Sequence, residues 1–241
     1  SDNTISGRCL FVIDAKNADA YILANKAGEL YLIDAKDKGI SVTELVTVDK
    51  TRPSIELNLD KVEAELLPGS EKNQEVINKV LDAGRLMLSA DSVGAAQIML
   101  DKAVAYSLER KQFGRVIGSF QAVKHMCAEM AAELEPCHSM IWHAAHCYDH
   151  DPSQARLMAC HTKAHVSEVG KQISKTSTEV HGGMGFTDEL GLHYWFKRIG
   201  LNRQLLGSPE LVREEAARIQ NFDQSPAEGQ GNKEVGNPLL V

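Results

Sequence analysis

The chain has 241 residues, of which 43% are apolar and 24% charged, and its net charge is −7. This composition is that of a globular protein with a substantial core, and an acidic balance without any Lys/Arg-rich run argues against a nucleic-acid surface. No apolar run approaches the length of a membrane span, and no signal peptide is visible.

The five cysteines form no CxxC pair, and their spacing suggests no disulfide framework. Reduced thiols are typical of cytosolic proteins, so we expect a cytoplasmic location without a membrane partner.

The first quarter of the chain has the pattern of short β-strands. Its segments are rich in Ile, Val, Leu and Tyr, and breakers such as Asn25–Gly28 and Asp37–Gly39 separate them. The predicted strands cover residues 9–15, 20–24, 30–35, 40–48 and 54–62. Five short strands in succession predict a small antiparallel sheet or barrel.

The pattern becomes helical after Pro68-Gly69-Ser70, where apolar residues begin to recur with helical spacing. A first helix of roughly 35 residues would span about 50 Å, which suits a long antiparallel bundle. The predicted helices cover residues 72–110, 119–148, 153–180, 188–206 and 209–220. The predicted domains are a β domain (1–68), a helical bundle (69–221) and a flexible tail (222–241).

The nine histidines raise the question of a metal site. His143 and His146 can share one helix face, and Glu135 with His138 forms one ExxH motif. A di-iron bundle needs two such motifs and two further glutamates, and Pro136 interrupts the motif that is present. We therefore predict no metal site.

The segment ERKQFGRVIGSFQ, residues 109–121, has two interpretations. Basic residues in the last turn of a helix offset its macrodipole, Gly114 can end that helix, and Ser119 can cap the next one. Alternatively, Arg110 faces an anion while Gln121 adds a neutral donor. Spacing alone favours the first, purely structural interpretation.

Three glycines in VHGGMGFTDE, residues 180–189, pose a similar choice. One glycine is enough to end a helix, whereas Gly182, Gly183 and Gly185 together exceed what a turn requires. Either a flat phosphorylated ligand approaches exposed backbone N–H groups, or two helices crowd together here. The stretch alone leaves the two alternatives even.

Several separated motifs, in order along residues 5–220, resemble the acyl-CoA dehydrogenase family. The resemblance implies an α+β fold in which a small antiparallel β domain precedes a C-terminal antiparallel helical bundle, with the family's N-terminal helical domain absent. Motifs in register are more specific evidence than any single motif. They are LDAGR (81–85), ERKQFG (109–114), SFQAVKHMCAEMA (119–131) and EVHGGMGFTDE (179–189).

The family oxidises an acyl-CoA thioester to the 2,3-enoyl-CoA, with a glutamate taking the α-proton and FAD taking the β-hydrogen as hydride. The resemblance implies that Arg110 and Gln121 hold the FAD pyrophosphate of a neighbouring subunit, while Gln112 and Phe113 line the same cleft. It implies that residues 179–183 lie along the adenosine end of FAD. The cofactor-binding residues implied there are Glu179, His181, Gly182 and Gly183.

The acyl-CoA substrate is implied to run along the DxGR motif, whose members here are Asp82 and Arg85. The chain departs from the family at the catalytic base, because the two positions that hold the base in family members are Gly84 and Gly207. Glycine cannot accept a proton, and losing a positioned base costs about 10²–10⁴-fold in rate. Asp82 and Glu210 remain as substitutes, so the catalytic residue is left unassigned.

Two further departures concern the cofactor. Glu179 replaces the usual glutamine and brings an anion near the expected phosphates. Phe11-Val12-Ile13 replaces a W-I-T stretch that touches the flavin ring in the family, which removes one flavin hydrogen bond.

This pattern resembles heteromeric acyl-CoA dehydrogenases, in which two related chains share flavins and only one carries the glutamate. The expected function is a subunit of an α₂β₂ FAD enzyme that desaturates an acyl-CoA in fatty acid or steroid degradation, with electron-transfer flavoprotein as partner. The alternatives are a homomeric enzyme with Asp82 or Glu210 as base, and a non-catalytic scaffold of the same fold.

Overall fold

The computed structural model describes residues 4–70 and 74–222, which form two compact units. The first unit extends to Val80 and the second begins at Leu81. Apart from Phe222, the predicted tail lies outside the described residues.

The first unit contains six strands among its described residues. They are β1 (Thr4–Ile13), β2 (Ala20–Ala24), β3 (Leu30–Asp34), β4 (Ile40–Leu45), β5 (Ser54–Glu63) and β6 (Glu65–Leu66). In one antiparallel sheet β5 lies between β1 and β4, and in the other β3 lies between β2 and β6. The prediction of a small antiparallel β domain is therefore confirmed.

Strand β5 supplies much of this unit's core because alternate side chains point to one face of a strand. Ile55, Leu57 and Leu59 are buried at this spacing, which would next bring Lys61 inward. Instead, Lys61 adopts a φ of +50° near a register shift in the β1–β5 pairing, and Val62 is the residue that is buried. The irregularity keeps a lysine out of the core.

The helices of the described chain are α1 (Gln74–Glu109), α2 (Gln121–His150), α3 (Pro152–His181), α4 (Leu192–Gln204) and α5 (Pro209–Ile219). In the second unit, α3 packs against α2, α4 and α5, and the Ser177 hydroxyl donates a 2.8 Å hydrogen bond to the Met99 carbonyl of α1. The main core combines fully buried side chains from four helices, including Met99, Leu134, Ile173 and Ile199.

The structure corrects three details of the predicted elements. Strand β4 ends at Leu45 rather than residue 48, and Val46 is fully exposed. Helix α4 begins at Leu192 rather than residue 188, because Gly191 with a φ of +67° precedes it. Ser119 is not the cap of α2, because its hydroxyl bonds back to the Val116 carbonyl within a short 3₁₀ turn.

None of the helices in the described part of the chain combines the length and hydropathy needed to cross a bilayer. Within residues 4–70 and 74–222, no group of three or more His, Cys, Asp or Glu side chains could hold a metal ion. The five cysteines are free thiols. The position of the domain boundary at 68/69 stays a prediction, although β6, the last strand of the first unit, ends at Leu66 and the first helix starts at Gln74.

Candidate functional site

A tight hairpin follows the C-terminus of α1. Strands β7 (Lys111–Gln112) and β8 (Arg115–Val116) pair across Phe113-Gly114, whose φ values of +52° and +77° are those of a two-residue hairpin turn. The Ile117 amide donates a 2.8 Å hydrogen bond to the Arg110 carbonyl and closes the base of this hairpin. Arg110 is thereby fixed at the junction between helix and hairpin.

The glycine run follows the end of α3, and its three glycines lie in different surroundings. Gly182 has a φ of +58°, a conformation that favours glycine. A Cβ on Gly185 would lie 2.8 Å from the Thr178 carbonyl oxygen, so crowding within the chain excludes a side chain there. Gly183 has neither constraint, because a Cβ built there meets no atom within 4 Å.

The hairpin and the glycine run meet at one cleft of about 430 Å³, here called the Arg110 cleft. The structure therefore brings six of the eight proposed cofactor-binding residues together within one chain. The cleft is lined by Tyr106, Arg110, Gln112, Ile117, Glu179, Val180, His181, Gly182, Gly183 and Met184.

Phe113 and Gln121 are the two proposed cofactor residues that do not line this cleft. Phe113 is 91% exposed at the hairpin tip, with its ring edge-on to that of Phe120. The Gln121 side chain is exposed and lies 2.9 Å from the ring of His125. The cofactor roles of all eight residues stay predictions.

Sequence reasoning missed Tyr106, Ile117 and Met184 as members of the cleft. For Tyr106 a signal existed, because it lies four residues before Arg110 and hence on the same face of α1. Ile117 and Met184 lie in short 3₁₀ turns. The spacing of apolar residues that indicates a helix or a strand does not indicate such turns.

His181 is the most buried polar side chain of the cleft, at 3% exposure. Its Nδ1 lies 2.7 Å from the Ser177 carbonyl oxygen, and its ring lies 4.7 Å from that of Tyr106. Its other nitrogen, Nε2, is buried without a hydrogen-bond partner. Most buried polar atoms are satisfied, so a buried nitrogen without a protein partner beside a cleft suggests that a ligand completes its hydrogen bonding.

Asp82 and Arg85 lie elsewhere, in a buried ionic cluster. The Arg85 guanidinium is 0% exposed and donates to the Leu206 carbonyl at 3.0 Å, to Glu215 at 2.8 Å and to Asp82 at 3.4 Å. Arg156 pairs with Glu215 and lies 4.0 Å from Asp82. Their predicted role along the acyl-CoA channel is untested, but their observed contacts hold α5 and the turn after α4 to α1.

Burial sets the electrostatics of this cluster. It raises the pKa of Asp82 even though the charges of Arg156 and Arg85 act in the opposite direction. Burial also opposes ionisation of Glu215, but the hydrogen bonds and charges of Arg85 and Arg156 together outweigh it and lower that pKa. Sequence reasoning missed Glu215 and Arg156, since charged residues on amphipathic helices are usually solvated.

Gly84 and Gly207, the two positions at which the resemblance places the base, converge on the turn between α4 and α5. A Cβ on Gly84 would lie 2.3 Å from Leu206 Cδ1. Gly207, the next residue, has a φ of +106°, and a Cβ there would lie 3.0 Å from Val212 Cγ1 and 3.7 Å from Arg85 Nη2. The side chain of Leu206 therefore occupies the space that a longer residue at 84 would enter.

The two substitute bases differ in environment. Glu210 is 63% exposed and ion-paired with Arg203, and a hydrogen bond with Ser208, its own backbone N–H and the pair with Arg203 lower its pKa to about 2. Asp82 is 6% exposed at its side chain and hydrogen-bonded to Arg85. Neither carboxylate has the combination of access and a pKa near neutrality that a general base needs.

Lys163 fixes the other end of the same turn. Its ammonium group is 1% exposed and donates to the carbonyls of Asn202 at 2.6 Å and Arg203 at 3.1 Å, at the C-terminus of α4. Burial lowers its pKa to about 8. A cation at a helix C-terminus interacts favourably with the helix macrodipole, and this interaction offsets part of the cost of burying the ammonium group.

Comparison with known proteins gives a family match over most of the helical region. A family model described as "Acyl-CoA dehydrogenase, C-terminal domain" matches residues 74–220. Subunit CarC of the caffeyl-CoA reductase-Etf complex of Acetobacterium woodii is 31% identical over 199 residues, which are 77% of this chain and 52% of that protein.

Two further comparisons cover both units. Acyl-CoA dehydrogenase IpdE2 of Mycolicibacterium smegmatis is 29% identical over 210 residues, which are 87% of this chain and 60% of that protein. A solved structure of a variant of the Tcur3481-Tcur3483 steroid ACAD aligns with a TM-score of 0.80 at 25% identity, over 91% of this chain and 60% of that chain. The chain thus spans between 52% and 60% of the length of these proteins.

Proposed function

Because this chain belongs to the acyl-CoA dehydrogenase family, we propose that it is a subunit that completes the FAD site of a partner chain. Members of the family are FAD-dependent flavoproteins. In the proposed assembly the partner supplies the catalytic base, and the pair desaturates an acyl-CoA thioester between its α and β carbons.

The Arg110 cleft has the chemistry to hold part of FAD. Arg110 offers guanidinium donors suited to a pyrophosphate. The space in front of Gly183 allows a flat ligand to approach the backbone, and the buried Nε2 of His181 has no hydrogen-bond partner within the protein. When bound, FAD accepts the hydride that leaves the β-carbon of the acyl group.

The observation that carries the proposal is the distance between the cleft and the empty base positions. Gly84 lies ten residues after Gln74, the first residue of α1, and the cleft lies at the end of this helix, 25 residues further on at Glu109. At a rise of 1.5 Å per residue this separation is about 38 Å along the helix axis. That distance exceeds the extended length of FAD, so a dinucleotide seated in the cleft would serve the reaction centre of another chain.

The chain's own reaction centre lacks a base, which favours an unlike partner. A side chain at Gly84 would collide with Leu206, and one at Gly207 would require a left-handed backbone conformation. Asp82 is tied to Arg85, and Glu210 is held ionised by Ser208 and Arg203. The homomeric alternative would need one of these two carboxylates to act as base.

The relatives support an electron-transfer partner and leave the acyl group open. CarC is a subunit of a complex that includes Etf, and the Tcur3481-Tcur3483 protein is a steroid ACAD. We therefore propose electron-transfer flavoprotein as the electron acceptor and a fatty or steroid acyl-CoA as the substrate.

The test is to isolate the chain with the protein that co-purifies from its source, and to count chains and flavins by native mass spectrometry. Dehydrogenation is then assayed with an artificial electron acceptor for the complex and for the lone chain. We expect activity only in the complex, and full activity of the lone chain would refute the proposal. A complex that never takes up flavin would instead favour the scaffold alternative.

Arg110, which precedes the hairpin, and Arg115, which lies within it, give a matched pair for this assay. Arg110 lines the cleft, whereas Arg115 lies with its guanidinium 4.0 Å from the centre of the Phe120 ring and does not line it. Arg110→Met should weaken FAD binding by about 10- to 100-fold, the effect of losing a hydrogen bond to a charged group. Arg115→Met should leave FAD affinity unchanged.

A further inference from the structure

The first unit contains a cavity of about 600 Å³ that shares no residue with the Arg110 cleft. Small-molecule sites usually have volumes of about 300–1,000 Å³, so this cavity is large enough for a ligand. One wall belongs to the sheet of β1 and β5, and the other belongs to β2 and β3. The cavity is here called the Gly7 cavity, and its walls between the sheets are formed by Ile5, Gly7, Cys9, Leu23, Tyr31 and Leu59.

Gly7 lies within β1 although nothing in the fold requires a glycine there. A register shift lies between Ile5 and Gly7, but the φ of Gly7 is not in the left-handed region that favours glycine. A Cβ built on Gly7 meets no atom within 4 Å, whereas a Cβ on Gly39 of the same unit would lie 2.3 Å from the Asp60 carbonyl oxygen. Glycine weakens a strand, and one that packing does not require marks a place where a ligand approaches the backbone.

The interior of the Gly7 cavity is apolar. Leu59 belongs to the core of the first unit, and the other four side chains of the walls are half-buried against that core. A hydrocarbon group between the two sheets would therefore extend the core and leave water.

The remaining lining residues favour a negative charge at the mouth of the cavity. The lining includes Arg8 and Lys26 but no acidic residue, in a chain with 33 acidic and 26 basic residues. Arg8 is neutralised, because its guanidinium donates to both carboxylate oxygens of Glu56 at 2.8 and 2.9 Å. The exposed ammonium group of Lys26 has no hydrogen bond or ion pair with any residue of the described chain.

We propose that the Gly7 cavity binds an amphipathic carboxylate, whose hydrocarbon part lies between the two sheets beside Gly7 and whose carboxylate pairs with Lys26. A small polar anion would gain nothing from the apolar walls, and a neutral hydrocarbon would leave the ammonium group unpaired. This site does not depend on the proposed function, because none of its residues lines the Arg110 cleft.

The thiol of Cys9 reports directly on occupancy because Cys9 lies in the wall of the cavity. The full chain, in its complex as isolated, is alkylated with iodoacetamide with and without decanoate, and the rate at each cysteine is measured by peptide mass spectrometry. Cys127 of α2 is the internal control, because it is also a partly buried free thiol. Decanoate at about ten times its dissociation constant should slow alkylation of Cys9 about tenfold, since only the empty cavity reacts, and leave Cys127 unchanged.

Substitutions test the two halves of the ligand separately, with binding measured by calorimetry. Gly7→Val fills the cavity without a clash, so the affinity for decanoate should fall at least about tenfold while the strand keeps its stability. Gly7→Ala provides a milder variant. Lys26→Met should weaken decanoate binding about 2- to 5-fold, the effect of losing an exposed ion pair, and leave decanol binding unchanged. Lys36→Met is the matched control, because Lys36 lies in the same unit but does not line the Gly7 cavity.

Three results would overturn the inference. Alkylation of Cys9 at the same rate with and without decanoate would show that the cavity takes no such ligand. Undiminished decanoate binding by both Gly7 variants would place the ligand elsewhere on the protein. Equal protection of Cys9 by decyltrimethylammonium and by decanoate would show that the site does not select a carboxylate.

Discussion

The glycine run at the end of α3 allows a sharp prediction, because two of its members differ only in what surrounds them. Gly183→Ala adds a methyl group where no atom lies within 4 Å, whereas Gly185→Ala adds one that lies 2.8 Å from the Thr178 carbonyl oxygen. If the first glycine exists for a ligand and the second for packing, the two substitutions will affect different measurements.

The magnitudes follow from the geometry. Gly183→Ala fits the unliganded chain, so it should change the free energy of unfolding by about 0 to +1 kcal/mol, through the lower entropy of the unfolded state. Gly185→Ala forces the backbone of α3 to shift, and overpacking of this kind costs about 1–3 kcal/mol. The FAD affinity of the complex should fall at least about tenfold for Gly183→Ala, equivalent to 1.4 kcal/mol.

The assay combines urea unfolding of the chain without FAD and a fluorescence titration of the complex with FAD. Gly185→Ala serves as the control, because it should lose stability but retain FAD affinity at temperatures where it is folded. Normal FAD affinity in the Gly183→Ala variant would show that no cofactor approaches the backbone here, and the assignment of the Arg110 cleft to FAD would be wrong.

Three further predictions concern the turn between α4 and α5. Glu210→Gln should change the rate of the complex by less than about 2-fold, because a carboxylate with a pKa of about 2 is a poor base; a loss of about 100-fold would restore it as a candidate. Glu215→Gln should lower the free energy of unfolding by about 3 kcal/mol in urea, because it leaves the buried Arg85 without its closest charge; a neutral result would contradict the buried cluster. The pKa of Lys163 is about 8 in the folded chain against 10.5 in the unfolded chain, so between these pH values the folded state binds fewer protons. The free energy of unfolding of the wild type, relative to that of Lys163→Met, should therefore rise with pH from about 8 to 10.5. A difference that does not change with pH would mean that Lys163 is not desolvated.

The sequence predicted the fold because its local signals agree with its packing. Short strands separated by breakers, and then long runs of helical period, predicted five of the eight strands and all five α-helices of the described chain, with end errors of a few residues. The errors occur where side-chain hydrogen bonds determine the position at which an element begins or ends. Ser119 has the residue type of a helix cap, but its hydroxyl serves the preceding 3₁₀ turn.

The candidate site was predictable only in part, because the spacing of residues along the sequence does not show which segments contact each other in the fold. The hairpin and the glycine run were each ambiguous alone, and only the fold places Arg110 and Gly183 at one cleft. The sequence left open whether a ligand or crowding explains the glycine run. Crowding explains Gly185 but not Gly183. The open Nε2 of His181 could not have been predicted, because it depends on the bond to Ser177 and on burial.

The length of α1 and the missing base constrain the assembly in different ways. The separation of about 38 Å between Gly84 and the Arg110 cleft requires that an FAD held in the cleft serve a second chain, whether that chain is identical or not. The proposal that this second chain is different rests on Gly84 and Gly207, because a copy of this chain would also have no side chain at these two positions. A glutamate introduced at Gly207 should not restore activity to the lone chain. The left-handed backbone at that residue and the nearby Val212 would displace the carboxylate from its working position.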